Sequence, residues 1–100
     1  MKKEQFEQIT EFQNKTFLNA TPQSKLWHLF DEISEVFKAL KENSNYKEEF
    51  ADCFILLFGA ANSAGMSYED ICKAIDDKME INYKRKWGKP DINGVIKHVN

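Results

Sequence analysis

Apolar side chains recur every three or four residues along most of the chain, which is the spacing of an amphipathic α-helix. The clearest case runs from Pro22 to Glu42. Thr21 before it is a favoured N-cap residue, and proline suits the first helical position. Seven apolar side chains of this segment fall within an arc of roughly 120° at 100° per residue: Leu26, Leu29, Phe30, Ile33, Val36, Phe37 and Leu40. The pattern predicts a long helix that buries this arc.

Three further helices are predicted around this one, at about Lys3 to Leu18, Tyr46 to Ala64 and Tyr68 to Trp87. Gly65 provides the stop between the last two. Gly88-Lys89-Pro90 ends the last helix. Residues 89–100 are predicted to form an irregular C-terminal tail with a turn at Asn93-Gly94. The sequence therefore predicts an all-α fold, a four-helix bundle, with the whole chain as one domain.

The third predicted helix is apolar nearly all round between Cys53 and Ala61. A helix of this kind is surrounded by protein on every side. Because 100 residues cannot wrap it completely, we expect a homodimer. The same run is too short to span a bilayer, and the first residues, Met-Lys-Lys-Glu-Gln-Phe, lack the apolar core of a signal peptide. We therefore expect a cytoplasmic protein with no membrane partner.

The balance of charged residues and the positions of the cysteines argue against a nucleic-acid partner and against a zinc site. The chain has 14 Lys and Arg residues against 16 Asp and Glu residues. This balance is nearly neutral and predicts no nucleic-acid partner, because such surfaces carry an excess of basic residues. The two cysteines, Cys53 and Cys72, lie in apolar helical patterns without the spacing of zinc ligands. They are predicted to be buried reduced thiols.

Two acid-x-x-acid motifs stand a short loop apart, Glu32 with Glu35 and Glu49 with Asp52. Residues three apart lie on one face of a helix, so two antiparallel helices would bring four carboxylates together. Like charges about 4 Å apart repel by about 4 kcal/mol at an effective dielectric near 20. Such a cluster is protonated, solvated or neutralised, and Mg²⁺ or Mn²⁺ would suit its oxygens. His28, on the same flank, either packs there or supports the site.

The fourth predicted helix carries a stripe that changes character along its length. Ile71 and Ile75 are ordinary core residues, and the same stripe continues as Lys78, Asn82 and Arg85. A core-facing stripe that becomes cationic indicates a pocket for an anion. The alternative is a solvated helix end whose positive charges favour the helix dipole. The pattern alone leaves both interpretations open.

The segments Leu26–Glu35 and Glu48–Asp52 resemble the signature of the MazG-like all-α nucleotide pyrophosphohydrolases. The ending Lys78–Pro90, followed by Gly94 and His98, is similar to the small dATP/dGTP diphosphohydrolase branch of that family. Together the resemblance covers about Leu26 to His98. It implies a four-helix MazG-like module that dimerises or pairs its dimers into tetramers.

The same resemblance implies an activity and a set of roles. The reaction is hydrolysis of a nucleoside triphosphate at the α–β link, giving a monophosphate and pyrophosphate, with dATP or dGTP as substrate. Mg²⁺ would be bound by the acidic motifs, and Glu35 or Glu49 would orient or deprotonate the attacking water. The implied metal ligands are Glu32, Glu35, Glu49 and Asp52, and the implied substrate-binding residues are Lys78, Asn82 and Arg85. We add His28, from its place on the flank of the acidic motifs, as a further candidate for substrate binding.

Two alternatives remain at this point. One is a different pyrophosphohydrolase on the same fold, acting on dUTP, dCTP or phosphoribosyl-ATP. The other is a non-catalytic helical interaction module, against which the complete set of four acids argues. The loop between the second and third helices is short, and this leaves the choice of base open.

Overall fold

A computed structural model describes residues 1–99 and contains four helices. They are α1 (Lys3–Thr16), α2 (Pro22–Glu42), α3 (Tyr46–Ser63) and α4 (Tyr68–Lys84). The all-α class and the predicted bounds of α2 are confirmed. The predicted end of α4 at Trp87 is wrong, because the helix stops at Lys84 and leaves Arg85 beyond its last turn.

The chain divides into two compact units, Met1–Tyr68 and the part from Glu69 onward. The first contains α1, α2 and α3, and the second contains nearly all of α4 and the C-terminal segment. Among the described residues, no single helix is long and apolar enough to cross a membrane. The pair α3 and α4 passes the same length and composition test only when the two are taken together, which is a weak indication of a span.

Helices α2 and α3 form an antiparallel pair joined by a short turn. Thr21 caps α2 as predicted: its hydroxyl accepts a hydrogen bond from the Ser24 backbone N–H, and the Thr21 N–H donates to the Ser24 hydroxyl in return. The start of α2 is tied to the end of α3, because Lys25 Nζ lies 2.6 Å from Ser63 Oγ. Burial lowers the pKa of this lysine.

The sequence predicted that α2 buries its apolar arc, but a different side of the helix packs in this unit. Val36 is buried and Leu29 is half-buried. The other buried or half-buried residues on this side of the helix are Lys25, Ala39 and Glu32. The rest of the arc points roughly 100° away from that side at 100° per residue. Its members are 39% to 71% exposed and form a line that we call the α2 seam: Leu26, Phe30, Ile33, Phe37 and Leu40. The periodicity identified the apolar stripe correctly, but it did not identify the side of α2 that packs against α3.

Helix α1 packs on α3 through one aromatic and one amide contact. The Phe6 ring meets Phe58 edge-on, with 6.4 Å between ring centroids, and Tyr68 lies 5.7 Å away on the same measure. Further along α1, the Gln13 side chain is completely buried. Its Nε2 donates a hydrogen bond to the Ile55 carbonyl at 2.8 Å.

The C-terminal segment is more regular than the predicted irregular tail. Trp87 and His98 form an antiparallel bridge, and the Gly88 N–H donates to the Lys97 carbonyl at 2.8 Å. The predicted turn is present between the two residues of this bridge, where the Gly94 N–H donates to the Asp91 carbonyl. The segment therefore folds back on itself as a small hairpin.

Candidate metal centre

Three of the predicted acidic residues converge where the middle of α2 lies against the first two turns of α3. One carboxylate oxygen each from Glu32, Glu49 and Asp52 lies within 4.8 Å of the other two. The short turn between the helices causes this meeting, because it makes them antiparallel and places the start of α3 beside the preceding turns of α2. Glu32 and Glu49 are half-buried and Asp52 is exposed. We call these three residues the acid cluster.

Glu35, the fourth predicted acid, lies one turn further along α2 and does not belong to the acid cluster. Its charge nevertheless acts on Glu49. The structure therefore brings together three of the four predicted ligands. Participation of Glu35 remains a prediction.

The charges of the acid cluster are not balanced by protein. Among residues 1–99, no lysine or arginine forms an ion pair with these carboxylates, and only His28 approaches Glu32. Removal from water raises the pKa of Glu49, and the carboxylates of Asp52, Glu32, Glu35 and Glu48 raise it further. Burial and the carboxylates of Glu32, Asp52 and Glu49 also raise the pKa of the Cys53 thiol. The cluster therefore favours a proton or a cation at its centre.

The donor set of the acid cluster fits a hard divalent cation. Oxygens around one Mg²⁺ at about 2.0–2.1 Å stand at most about 4.2 Å apart, so small side-chain rotations would complete the geometry. Carboxylate oxygens alone favour Mg²⁺ or Mn²⁺ over softer ions. The Cys53 sulfur is not a member of the group, which argues against a zinc site of the usual sulfur-containing kind.

His28 lies beside the acid cluster rather than within it. Its Nε2 is 3.4 Å from Glu32 Oε1, and its ring meets Phe17 edge-on with 6.1 Å between centroids. The imidazole can therefore fix the orientation of the Glu32 carboxylate. A direct role of His28 in substrate binding remains a prediction.

A cavity of about 180 Å³ adjoins the acid cluster, with walls from α1, α2 and α3. We call it the Gln13 cavity. Two of its residues, Gln13 and Phe17, were missed by the sequence interpretation. A glutamine on an amphipathic helix normally indicates the solvent side, so no signal in the pattern pointed to this one. The full lining is Phe12, Gln13, Phe17, His28, Glu32, Asp52, Ile55 and Leu56.

The predicted phosphate-binding residues lie in the second compact unit. Lys78 is exposed on α4, whereas Asn82 and Arg85 are half-buried. The Asn82 carbonyl accepts a hydrogen bond from the Trp87 indole N–H at 3.3 Å, which fixes the end of the helix. Helix α4 ends at Lys84, so Arg85 lies beyond it. The helical part of the predicted stripe therefore ends at Asn82. Phosphate binding by these residues remains a prediction.

A family model described as dATP/dGTP pyrophosphohydrolase matches residues 5–100. No curated protein matches the chain. One similar solved structure is the cyanophage S-2L MazG-like pyrophosphohydrolase bound to dGDP and three catalytic Mn²⁺ ions per active site. It is 24% identical, with a TM-score of 0.82, and the match covers 100% of this chain and 99% of that one. The likeness shows a MazG-like fold.

Proposed function

The chain belongs to the dATP/dGTP pyrophosphohydrolase family, and from this premise we propose that it hydrolyses deoxypurine nucleoside triphosphates in the presence of Mg²⁺. Membership makes it a nucleotide pyrophosphohydrolase. The proposal goes further in naming the metal, the substrates and the α–β link as the bond that breaks. The acid cluster is the observation that carries it, because three unbalanced carboxylates provide a site for the divalent cations that accompany a triphosphate.

Glu32, Glu49 and Asp52 would hold the cation, with Glu35 beside them. When bound, Mg²⁺ or Mn²⁺ neutralises phosphate oxygens and lowers the pKa of water. A triphosphate carries about −4 and the four acids add a formal −4, so one divalent cation leaves a strong net repulsion. We therefore expect more than one cation. The three Mn²⁺ ions of the cyanophage protein support this expectation.

The chain's own carboxylates would direct the attacking water. The water oxygen forms a bond to the α-phosphorus as the bond to the α–β bridging oxygen breaks, and pyrophosphate departs with the electron pair. Glu35 stands outside the acid cluster but close enough for its charge to act on Glu49. We assign it the proton released by the water. Glu49 is the alternative base, because its raised pKa makes its carboxylate a stronger base.

The products identify the bond. A digest of dATP or dGTP separated by chromatography is expected to contain the deoxynucleoside monophosphate and pyrophosphate in equal amounts. Deoxynucleoside diphosphate with orthophosphate would contradict the proposal, because it would mean attack at the γ-phosphate. The same assay with dUTP, dCTP and phosphoribosyl-ATP distinguishes the alternative pyrophosphohydrolases. Absence of turnover with every nucleotide would favour the interaction module.

Lys78, Asn82 and Arg85 are proposed to take up the charge of the departing pyrophosphate. We expect Arg85→Ala to lower kcat/KM by about 10²-fold, as for loss of one charge-stabilising donor, with little change in Tm. Lys84→Ala is the matched control, because Lys84 is the basic residue of the last turn of α4. A larger fall in Tm for Arg85→Ala than for Lys84→Ala, with unchanged kinetics, would restore the helix-end interpretation.

We also propose that two copies of the chain pair through the α2 seam. Its residues follow each other at intervals of four and three, which is the spacing of a helix–helix seam. The adjoining side of α3 adds Phe50 and Leu57, which are 41% and 49% exposed. Apolar surface of this extent is unusual on a monomer. The occupant is a second copy, because a self-complementary stripe is what a two-fold interface requires; a dimer of dimers is the larger alternative.

A further inference from the structure

Phe17 occupies a fixed place between α1 and α2. It directly follows the last turn of α1, where its N–H donates a hydrogen bond to the Gln13 carbonyl at 2.8 Å. Its own carbonyl accepts a hydrogen bond from the Ala20 N–H at 3.1 Å, in a turn where Asn19 has a left-handed backbone with φ 67°. These two bonds hold the backbone of Phe17, so its side chain projects from a defined position.

The end of α1 that carries Phe17 is itself seated on α3. The Gln13 side chain is completely buried, and its Nε2 donates to the Ile55 carbonyl of α3. Gly59 leaves a notch on α3 for the same amide, because a methyl group on residue 59 would collide with it. A buried side chain that fills a notch has little freedom to shift, since protein interiors are closely packed. Gln13 therefore fixes the position of Phe17 relative to α3.

The Phe17 ring in turn confines the imidazole of His28. The two rings meet edge-on, with 6.1 Å between centroids and 87° between their planes, which is a favoured arrangement of aromatic pairs. Phe12 meets Phe17 in the same way at 6.2 Å, so α1 also supports the Phe17 ring. Because 46% of the His28 side chain is exposed, its orientation depends on the few groups that touch it, and Phe17 is one of them.

His28 connects these rings to the acid cluster. Its Nε2 lies 3.4 Å from Glu32 Oε1, one helical turn further along α2. A neutral imidazole with its proton on Nε2 can donate to this oxygen, and a small rotation of either side chain would shorten the contact to a normal hydrogen bond. Carboxylates that bind metals usually have such a partner, which orients them.

Glu32 needs a partner because the acid cluster opposes its own assembly. The carboxylates of Glu32, Glu49 and Asp52 carry like charges and repel one another. A glutamate also has several rotamers, and some of them would carry the charge of Glu32 outward to water. A donor that holds this carboxylate toward the other two reduces the ordering that a cation must impose when it binds.

We propose that Phe17 is a positioning residue of the metal site, which holds the His28 imidazole against Glu32 and thereby strengthens the binding of divalent cations. This inference rests on the proposed function. It adds to it a role for α1, which supplies none of the three carboxylates of the acid cluster. The carboxylates bind the cation, whereas Phe17 and His28 act only through Glu32.

The test measures Mn²⁺ binding to the protein without nucleotide, from the loss of the free-ion signal in electron paramagnetic resonance. We expect His28→Phe, which keeps a ring but has no donor, to raise the Kd of Mn²⁺ by about 10- to 100-fold, the usual effect of losing a group that orients a metal ligand. His28→Gln keeps an N–H donor and should recover most of the affinity. Phe17→Leu should raise the Kd by about tenfold, the lower end of the same range.

A double-mutant cycle shows whether Phe17 acts through His28. In the His28→Phe background, Phe17→Leu should have little further effect on the Kd, since residues that act through one another are not additive. An equal effect of Phe17→Leu in both backgrounds would overturn the inference. So would a Phe17→Leu variant with a lower Tm and an unchanged Kd, because Phe17 would then only support the fold.

Phe54→Leu is the matched control. Phe54 is an exposed phenylalanine of α3 that lies outside both the Gln13 cavity and the acid cluster. This variant should bind Mn²⁺ like wild type. Phe17→Met keeps most of the volume without the flat ring, and it tests the same contact if Phe17→Leu does not fold.

The same measurement separates this inference from the reaction. Wild-type protein that binds no Mn²⁺ would overturn the metal site of the proposed function, and the inference with it. Binding with the expected dependence on Phe17 and His28, but without release of pyrophosphate from nucleotides, would overturn the proposed reaction alone. Mn²⁺ binding that is unchanged by substitution of either residue would overturn the positioning role alone.

Discussion

Replacing Glu49 with glutamine is expected to lower kcat/KM on the preferred triphosphate by about 10²–10³-fold, the range for loss of one preorganised electrostatic group. The amide keeps the shape of the side chain and removes one charge from the acid cluster. Because its pKa is raised in the folded protein, Glu49 is less stable there in its charged form than it would be in water. The neutral variant should therefore have an equal or higher Tm without divalent cations.

The kinetics and the melting curves together distinguish a site residue from a structural one. Mg²⁺ should raise the Tm of wild-type protein, since a ligand that binds only the folded state stabilises it, and should raise that of Glu49→Gln less. Glu48→Gln is the matched control, because Glu48 is the neighbouring exposed acid, accepts a hydrogen bond from Asn45 and lies outside the acid cluster. Near-normal turnover by Glu49→Gln at saturating Mg²⁺ would refute the assignment of the metal site.

The second large effect is expected at the α2 seam, where Phe37→Glu should dissociate the proposed dimer. Phe37 is 71% exposed in the single chain and is the fourth of the five seam residues. A carboxylate there would be removed from water without a partner, which costs far more than the lost contact of the ring. We expect the dimer Kd to rise by at least about 30-fold, the effect of losing an interface hot spot.

Sedimentation over a micromolar concentration range measures this change. Lys38→Glu is the control: it introduces a glutamate at the next position, on the exposed side of α2 away from the seam. That variant should sediment like wild type although its charge changes by more. A stable, well-folded wild-type monomer across the range would refute pairing through the seam. Wild-type dimers that Phe37→Glu leaves unchanged would place the interface elsewhere.

The features that were predicted best from the sequence are those that nearby residues in the chain determine. The limits of α2 follow from Thr21 and Pro22 at one end and from the turn after Glu42 at the other. The meeting of the acidic motifs was also predictable, because a short turn forces two helices to be antiparallel. Three of the four predicted carboxylates meet in the structure.

What the sequence could not predict depends on contacts between distant residues. An apolar arc identifies the side of a helix that is unfavourable to expose to water, but not the element that covers it. The α2 seam was therefore taken for the packed side of the helix. Gln13 was missed because its environment is formed by Gly59, 46 positions later in the chain. The early end of α4 was missed because the following residues take part in a bridge with His98 instead of extending the helix.

The notch that Gly59 opens for Gln13 also constrains the order in which this protein can change. A larger side chain at position 59 collides with the glutamine, whereas a shorter residue at position 13 leaves the notch empty and position 59 free to vary. A substitution at position 13 can therefore be tolerated first, whereas a substitution at position 59 is unfavourable as long as Gln13 is present. A library intended to vary this contact should accordingly diversify position 13 first and release position 59 only in the variants that survive.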